Sequence, residues 1–495
     1  MQSRMFIAVD LGAGSGRVFL AGVGTDELEL EEIRRFHYPP RTKSGHLRWD
    51  FRLIFDEIKA GLKQAARRSK EMGRPIHSIG IDSWAVDYGL LDEDGVPMDD
   101  PVCYRDDRTN GAMEKVFERV PRHSIFEKTG IQFQNFNTLY QLWSEGKNAE
   151  RASKLLLLPD LINFFLTGTI AAEFTNATTT QMVNTFTGTW DIDLLDRLDI
   201  PARILPNIIP AGSDLGQLKP TIAAETDLTE ACVIATATHD TASAVAAAPL
   251  SSGWAYISSG TWSLIGVEKE RALISEEVER QNFTNEGGVY GTTRFLKNVM
   301  GLWIFESCRR EWKDRGIELA YEAIVNKVSS LRGFSALIYP DDERFLNPPS
   351  MLDALKQQLS ETGQKFDDEP TAIAKMIFDS LAFRYASVLR SIESLTGEKL
   401  TGLQILGGGG RNRYLNQMTA NASGLTVNAG LYEATVVGNV LVQAISAGRF
   451  ASLSDARKHV AENVEFIEFL PQTNDDMIDA AARYREIENR FVNSH

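Results

Sequence analysis

The chain has 495 residues, 43% hydrophobic and 24% charged, an ordinary globular composition with enough apolar mass for at least two cores. Lysine and arginine number 52 against 67 aspartates and glutamates, a formal charge of −15 with no long basic run, which excludes a general nucleic-acid or anionic-membrane binder. A nucleotide site stays open, because backbone N–H groups and a metal hold phosphate without net positive charge. Cys103, Cys232 and Cys308 are far apart, odd in number and without metal-ligand spacing, so buried free thiols in a reducing compartment are expected. The opening MQSRMFIAVD is cut at Asp10, too soon for a signal peptide. Leu155 to Leu166, the most apolar later stretch, contains Pro159, Asp160 and Asn163 and is too short to span a bilayer. A soluble cytoplasmic protein is the expectation.

Met5 to Val9 reads as a buried strand, followed by Asp10-Leu11-Gly12-Ala13-Gly14-Ser15-Gly16-Arg17 and at once by more strand-forming sequence. A dinucleotide fingerprint would open a helix, and a P-loop would end in Gly-Lys-Ser/Thr; neither pattern holds. The glycines therefore make a tight hairpin whose exposed N–H groups suit phosphate, with a plain turn as the alternative. Strands follow near Leu28 to Phe36 and Leu47 to Trp49, then a helix from Phe51 to Met72 ended by Gly73 and Pro75. Ile76 to Ile81 is the next strand and leads into Asp82 and Ser83. Residues 100 to 230 carry few strands but several polar and aromatic clusters, suited to an elaborated lobe or to loops over a site.

Ala231 to Ala248, ACVIATATHDTASAVAAA, is a short buried strand that breaks at Thr238-His239-Asp240 and resumes as an alanine-rich helix. Asp240 falls where strand turns into helix, the end of an open α/β sheet at which ligands bind. An ordinary helix cap is the alternative. The opening pattern then recurs: strand Trp254 to Ser259, turn Gly260-Thr261, strand Trp262 to Val267. This predicts a duplicated architecture divided near Ala248-Pro249. Leu403 to Leu406 runs into Gly407-Gly408-Gly409-Gly410, a turn stripped of side chains on which a flat ligand can lie. Helices at 371–396 and 475–492 complete the second half.

Two glycine hairpins, a glycine-rich turn and two carboxylates after buried strands suit phosphoryl transfer, which needs positioning, charge neutralisation and an oriented nucleophile. Asp10 is expected to anchor Mg²⁺ directly or through water, and Asp240 to accept the proton of a substrate hydroxyl. The two acids are expected to face each other across a gap between paired lobes, whose closure excludes water.

DLGAGSGR, THDTASAV, SSGTWS and LGGGGRN together resemble the sugar kinases of the FGGY family. Within it, SIGIDSWAVDYGLLD, YRDDRTNG, GIQFQNFNTLYQL, FTNATTTQ, TNEGG, LKNVMGLW and DDERFLNP resemble the members that act on L-rhamnulose. The resemblance implies an α/β fold of two ribonuclease H-like, actin-like ATPase domains with an interdomain active-site cleft. It assigns 1–248 to sugar binding and the phosphate hairpin and 249–495 to the nucleotide. It implies transfer of the γ-phosphoryl of ATP, with Mg²⁺, to the 1-hydroxyl of this small ketose, in L-rhamnose breakdown. By motif, Asp240 is the proton acceptor, and Ala85, His239, Thr241 and Asn298 contact the sugar. Ala13, Gly14, Ser15, Gly16 and Arg17 wrap the phosphates, joined by Thr261, Glu306 and Gly408 at the nucleotide. The family often has Gly at Ala85 and Gln at Glu306; a carboxylate near ATP phosphates is unfavourable unless it is screened or faces the nucleoside. The alternatives are a kinase of fuculose, xylulose or glycerol, or a non-catalytic actin-like ATPase-fold binding protein. Monomer and dimer stay equally open.

Overall fold

The computed structural model describes residues 4–24, 27–472 and 475–492. The chain forms two compact units, each assembled from three stretches: Met1–Pro249, Glu268–Phe295 and Ala434–Val464 in the first, and Leu250–Val267, Leu296–Glu433 and Glu465–His495 in the second.

The first unit is built on a six-stranded sheet. Strands β1 (Arg4–Gly12), β2 (Ser15–Val23) and β3 (Leu28–His37) form an antiparallel meander. The helix α1 (Phe51–Met72) then crosses to β4 (Ile76–Ser83), parallel to β1. The strand β5 (Ser213–Gln217) lies antiparallel at the edge beside β6 (Cys232–Ala235), which is parallel to β4. The spatial order is β3-β2-β1-β4-β6-β5. β1 is buried on both faces, so its sequence reads as a continuous apolar run instead of an alternating one. The bounds of α1 follow local chemistry: the Asp50 carboxylate accepts the Leu53 N–H at 2.9 Å, and Gly73 at φ 65° closes the helix. Ile54, Ile58, Leu62 and Ala65 form its buried face, packed into the same core as Ile7, Val9 and Val18.

The second unit repeats this plan. Strands β7 (Trp254–Ser259) and β8 (Trp262–Lys269) are antiparallel, and β9 (Thr293–Met300) lies beyond β8. The helices α3 (Trp303–Asp314) and α4 (Pro370–Thr396) precede β10 (Gly402–Leu406), which is parallel to β7. β11 (Thr426–Leu431) is parallel to β10, and β12 (Ile467–Phe469) closes the edge antiparallel to it. The order β9-β8-β7-β10-β11-β12 follows the plan of the first sheet, with one further strand, Thr284–Gly287, beyond β9 and with the edge strand β12 coming after β11 in sequence where β5 comes before β6. The two-domain α/β architecture expected from the paired hairpins is therefore present. No helix among the described residues is long and apolar enough to cross a membrane.

Candidate active site

The site in the first unit is made by neighbouring strands ending together. Asp10 on β1 pairs in register with Asp82 on β4 and, across the hairpin, with Arg17 on β2. β6 is the next neighbour of β4, and beyond its end the Ser83 N–H donates to the Thr238 carbonyl at 2.9 Å. His239 and Asp240 follow immediately. Three carboxylates, Asp10, Asp82 and Asp240, thus meet at the carboxyl ends of adjacent strands, the place where α/β sheets hold ligands. Asp10 and Asp240 both lie in the first unit, where β4 stands directly between their strands.

Asp240 is the first residue of α2 (Asp240–Ala247), and His239 is its cap residue, with no capping bond from the ring. The Asp240 carboxylate accepts from its neighbour Thr241, from N–H at 2.6 Å and from the hydroxyl at 3.3 Å. A capping side chain would instead satisfy an N–H two or three positions on, so the plain-cap alternative fails. With 32% of its side chain exposed, the carboxyl stays reachable. Burial of its surroundings, then the charge of Asp10, push it up to about 7, against the opposing bonds from Thr241 and the charge of Arg294. Asp82 is fully buried and raised well above the usual carboxylate range by desolvation and by Asp10.

Surrounding groups fix these acids in place. The Asn439 amide donates to Asp82 at 2.6 Å, and its own oxygen accepts from Gln443 at 2.7 Å. Glu173, fully buried, accepts from the backbone and hydroxyl of Thr238, both at 3.0 Å, and from the Thr175 hydroxyl at 2.6 Å. This bond set holds the turn that carries His239 and Asp240. Thr241 itself is buried beside the acid.

The first hairpin turns between Gly12 and Ser15, with Gly14 at φ 136°, a conformation that demands glycine. Ala13, Gly14 and Ser15 are partly exposed, whereas Gly16 is buried against Phe36, where a Cβ would come within 2.5 Å of the ring. Tyr38 ties the turn shut: its hydroxyl donates to one of the Gly12 and Ser15 carbonyls, which lie 2.7 and 2.9 Å away. Burial and the charges of Asp10, Asp82 and Asp240, in that order, push its phenol well above the ordinary range. Arg17 binds Asp10 through both Nη2 and Nε, the latter at 3.1 Å. Ala85 is half-buried in the bend after β4.

In the second unit, Thr261 is exposed at the tip of the β7–β8 hairpin, and its carbonyl accepts the Trp303 N–H at 3.1 Å. Glu306 on α3 is held by Arg309 at 2.8 and 2.9 Å, which screens the carboxylate that the family motif does not anticipate. Gly408 stands open to solvent after Gly407 at φ 82°, while at Gly409 a Cβ would strike Ser259 Oγ at 2.0 Å. Asn298 is half-buried on β9.

Sequence reasoning missed Tyr38, Asp82, Glu173, Arg294 and Asn439. Asp82 carried the signal already used for Asp10, an acid directly after a buried strand, and could have been found by it. Asn439 is a lone polar residue in the apolar run ATVVGNVLVQA. Nothing in the sequence marked Arg294.

Residues 5–247 match the FGGY family of carbohydrate kinases, N-terminal domain, and residues 255–447 match its C-terminal domain. A rhamnulokinase of Bacteroides thetaiotaomicron is 41% identical over 489 residues, covering 98% of this chain and 99% of the relative. A rhamnulokinase of Oceanobacillus iheyensis is 41% identical over 472 residues, covering 94% and 98%. Among solved structures, a gluconate kinase from Lactobacillus acidophilus superposes with a TM-score of 0.80 at 16% identity, covering 99% of this chain and 97% of that one. Plasmodium falciparum glycerol kinase with ADP gives a TM-score of 0.79, also at 16%, covering 99% and 98%, so these two likenesses speak to the fold. With both halves matched and full-length relatives at this identity, the chain belongs to the FGGY family of carbohydrate kinases.

Proposed function

We propose that this protein transfers the γ-phosphoryl group of ATP to the 1-hydroxyl of L-rhamnulose, giving L-rhamnulose 1-phosphate and ADP. The observation that carries the chemistry is Asp240: a reachable carboxylate raised to about 7, next to two further acids at the sheet's carboxyl edge. A base poised near the working pH can hold a hydroxyl proton without being permanently protonated. The 1-hydroxyl oxygen forms a bond to the γ-phosphorus as the bond to the bridging β-oxygen breaks; the proton passes to Asp240. The substrate rests on the names of relatives that span nearly the whole chain.

In this reading Ala85, His239, Thr241 and Asn298 contact the sugar. The Ala13–Arg17 hairpin, Thr261, Glu306 and Gly408 serve the nucleotide. The half 1–248 is assigned mainly to sugar and 249–495 mainly to ATP. Mg²⁺ fits the Asp10–Asp82 pair: Asp82 Oδ1 is buried without a hydrogen-bond partner, and a cation would relieve the repulsion between the two acids. Among the described residues no group of three His, Cys, Asp or Glu is arranged to hold a metal, and Mg²⁺, which keeps several waters, needs only one or two carboxylates. When bound, the ion neutralises charge on the transferring phosphoryl group. A cytoplasmic location suits ATP-dependent sugar breakdown.

An ADP-release assay across L-rhamnulose, L-fuculose, D-xylulose and glycerol tests the reading. Turnover should be highest with L-rhamnulose, and a rate no greater than without sugar would overturn it.

A further inference from the structure

The His239 ring sits among three charged groups. Its Nδ1 faces Arg294 Nη2 at 3.1 Å and Glu286 Oε2 at 3.5 Å, and its Nε2 faces Asp240 Oδ1 at 3.4 Å. Arg294 is completely buried, donates Nε–H to the Gly287 carbonyl at 3.0 Å and pairs with Glu286 at 3.1 Å. Its Nη1 is buried with no hydrogen-bond partner. A buried guanidinium that is incompletely satisfied is costly compared with a well-packed apolar side chain, so its presence calls for a reason other than stability.

The reason lies in what a guanidinium can and cannot do. It carries N–H donors only and stays protonated in proteins. A proton on His239 Nδ1 would set two donors against each other at 3.1 Å, so Nδ1 must be the bare, accepting nitrogen. Burial and the Arg294 charge also hold the imidazolium well below the usual histidine range, leaving a neutral ring. A neutral imidazole with a bare Nδ1 carries its hydrogen on Nε2, on the side of Asp240. At 3.4 Å that hydrogen makes at most a weak bond to Oδ1, which leaves it available to a substrate oxygen lying beside the acid.

We propose that Arg294 is a positioning residue that locks His239 in its Nε2–H form, so that the ring can donate to substrate or to Asp240 but cannot take up the hydroxyl proton. Nε2 is already protonated, and Nδ1 is blocked by the guanidinium; the proton has only Asp240 to go to. This assignment rests on the reading of Asp240 as the base, and it explains why a histidine adjoining the reacting hydroxyl does not compete with that base.

The test is nitrogen NMR of the full chain labelled with ¹⁵N-histidine, in which the His239 signals are identified by their loss in His239→Gln. The wild type near pH 7 should show Nε2 protonated and Nδ1 bare. Arg294→Met, which removes every donor, should let hydrogen appear on Nδ1 toward Glu286 and lower kcat roughly tenfold or more. Arg294→Lys, which restores a cationic donor, should recover the Nε2–H form. A protonated Nδ1 in the wild type overturns the proposal without any variant having to fold, and so does an unchanged tautomer in Arg294→Met. Failure of the base assignment is separate: it would appear as retained turnover in Asp240→Asn while the tautomer stayed as described.

Discussion

Asn439 donates a side-chain N–H to the Asp82 carboxylate at 2.6 Å, although 357 positions separate them. The helix Ala434–Ser446 that carries Asn439 belongs to the first unit and packs on α2, the helix that begins at Asp240. One buried amide therefore connects the acid on β4 with the scaffold beneath the proposed base. Gln443 extends the connection, donating to the Ile7 carbonyl at 3.0 Å and accepting from Ser78 at 2.7 Å.

Replacing Asp240 by Asn should leave sugar affinity largely intact and lower kcat by roughly 10²–10⁴. Sugar binding by calorimetry beside steady-state turnover makes the comparison, and near-full turnover would remove Asp240 from the base role.

The acid limb of the pH profile follows from the same carboxylate. Asp240 is raised to about 7, and only its ionised form accepts a proton. In the free enzyme, kcat/KM should therefore fall about tenfold per pH unit below that value and level off above it. A profile flat from pH 5 to 8 would contradict this.

Asp82 should report on stability. Its folded-state pKa is raised, so the wild type holds its full stability at low pH and loses part of it as pH rises and the buried acid must ionise. Asp82→Asn cannot ionise, so in the presence of a chelator its Tm relative to wild type should improve from pH 5 to pH 8. A difference that does not change with pH would show that the acid carries no such penalty.

Asp10→Ala should raise the Mg²⁺ concentration needed for half-maximal turnover, read from a Mg²⁺ titration at saturating ATP and sugar. An unchanged titration curve would remove Asp10 from the metal shell.

Gly438 permits the close crossing of the two helices, since a Cβ there would lie 1.7 Å from the Ser243 carbonyl oxygen. Gly438→Ala should destabilise the first unit by about 1–3 kcal/mol, measurable by denaturant unfolding. Unaltered stability would mean that the crossing relaxes freely.

Much of the fold was legible from the chain alone, for local reasons. Helix α1 was readable from its apolar spacing and from Gly73, and the second hairpin from small residues between two apolar runs. Of the site, Asp240 and the Gly12–Ser15 turn could be found because each breaks a regular pattern at a place where backbone geometry is forced. Tyr38 could not: it reaches the hairpin carbonyls from beyond β3, and nothing nearby in sequence shows that contact.

Sequence by itself determined the element types, the hairpins, the family resemblance and the acid at the strand-to-helix turn, because all of these depend on neighbours along the chain. Only the tertiary structure decided that Asp10, Asp82 and Asp240 share one sheet edge, that Asn439 donates to Asp82, and that Arg294 reaches His239 Nδ1. Those facts depend on strand order and on buried contacts between distant segments, which long-range packing sets and local pattern does not encode.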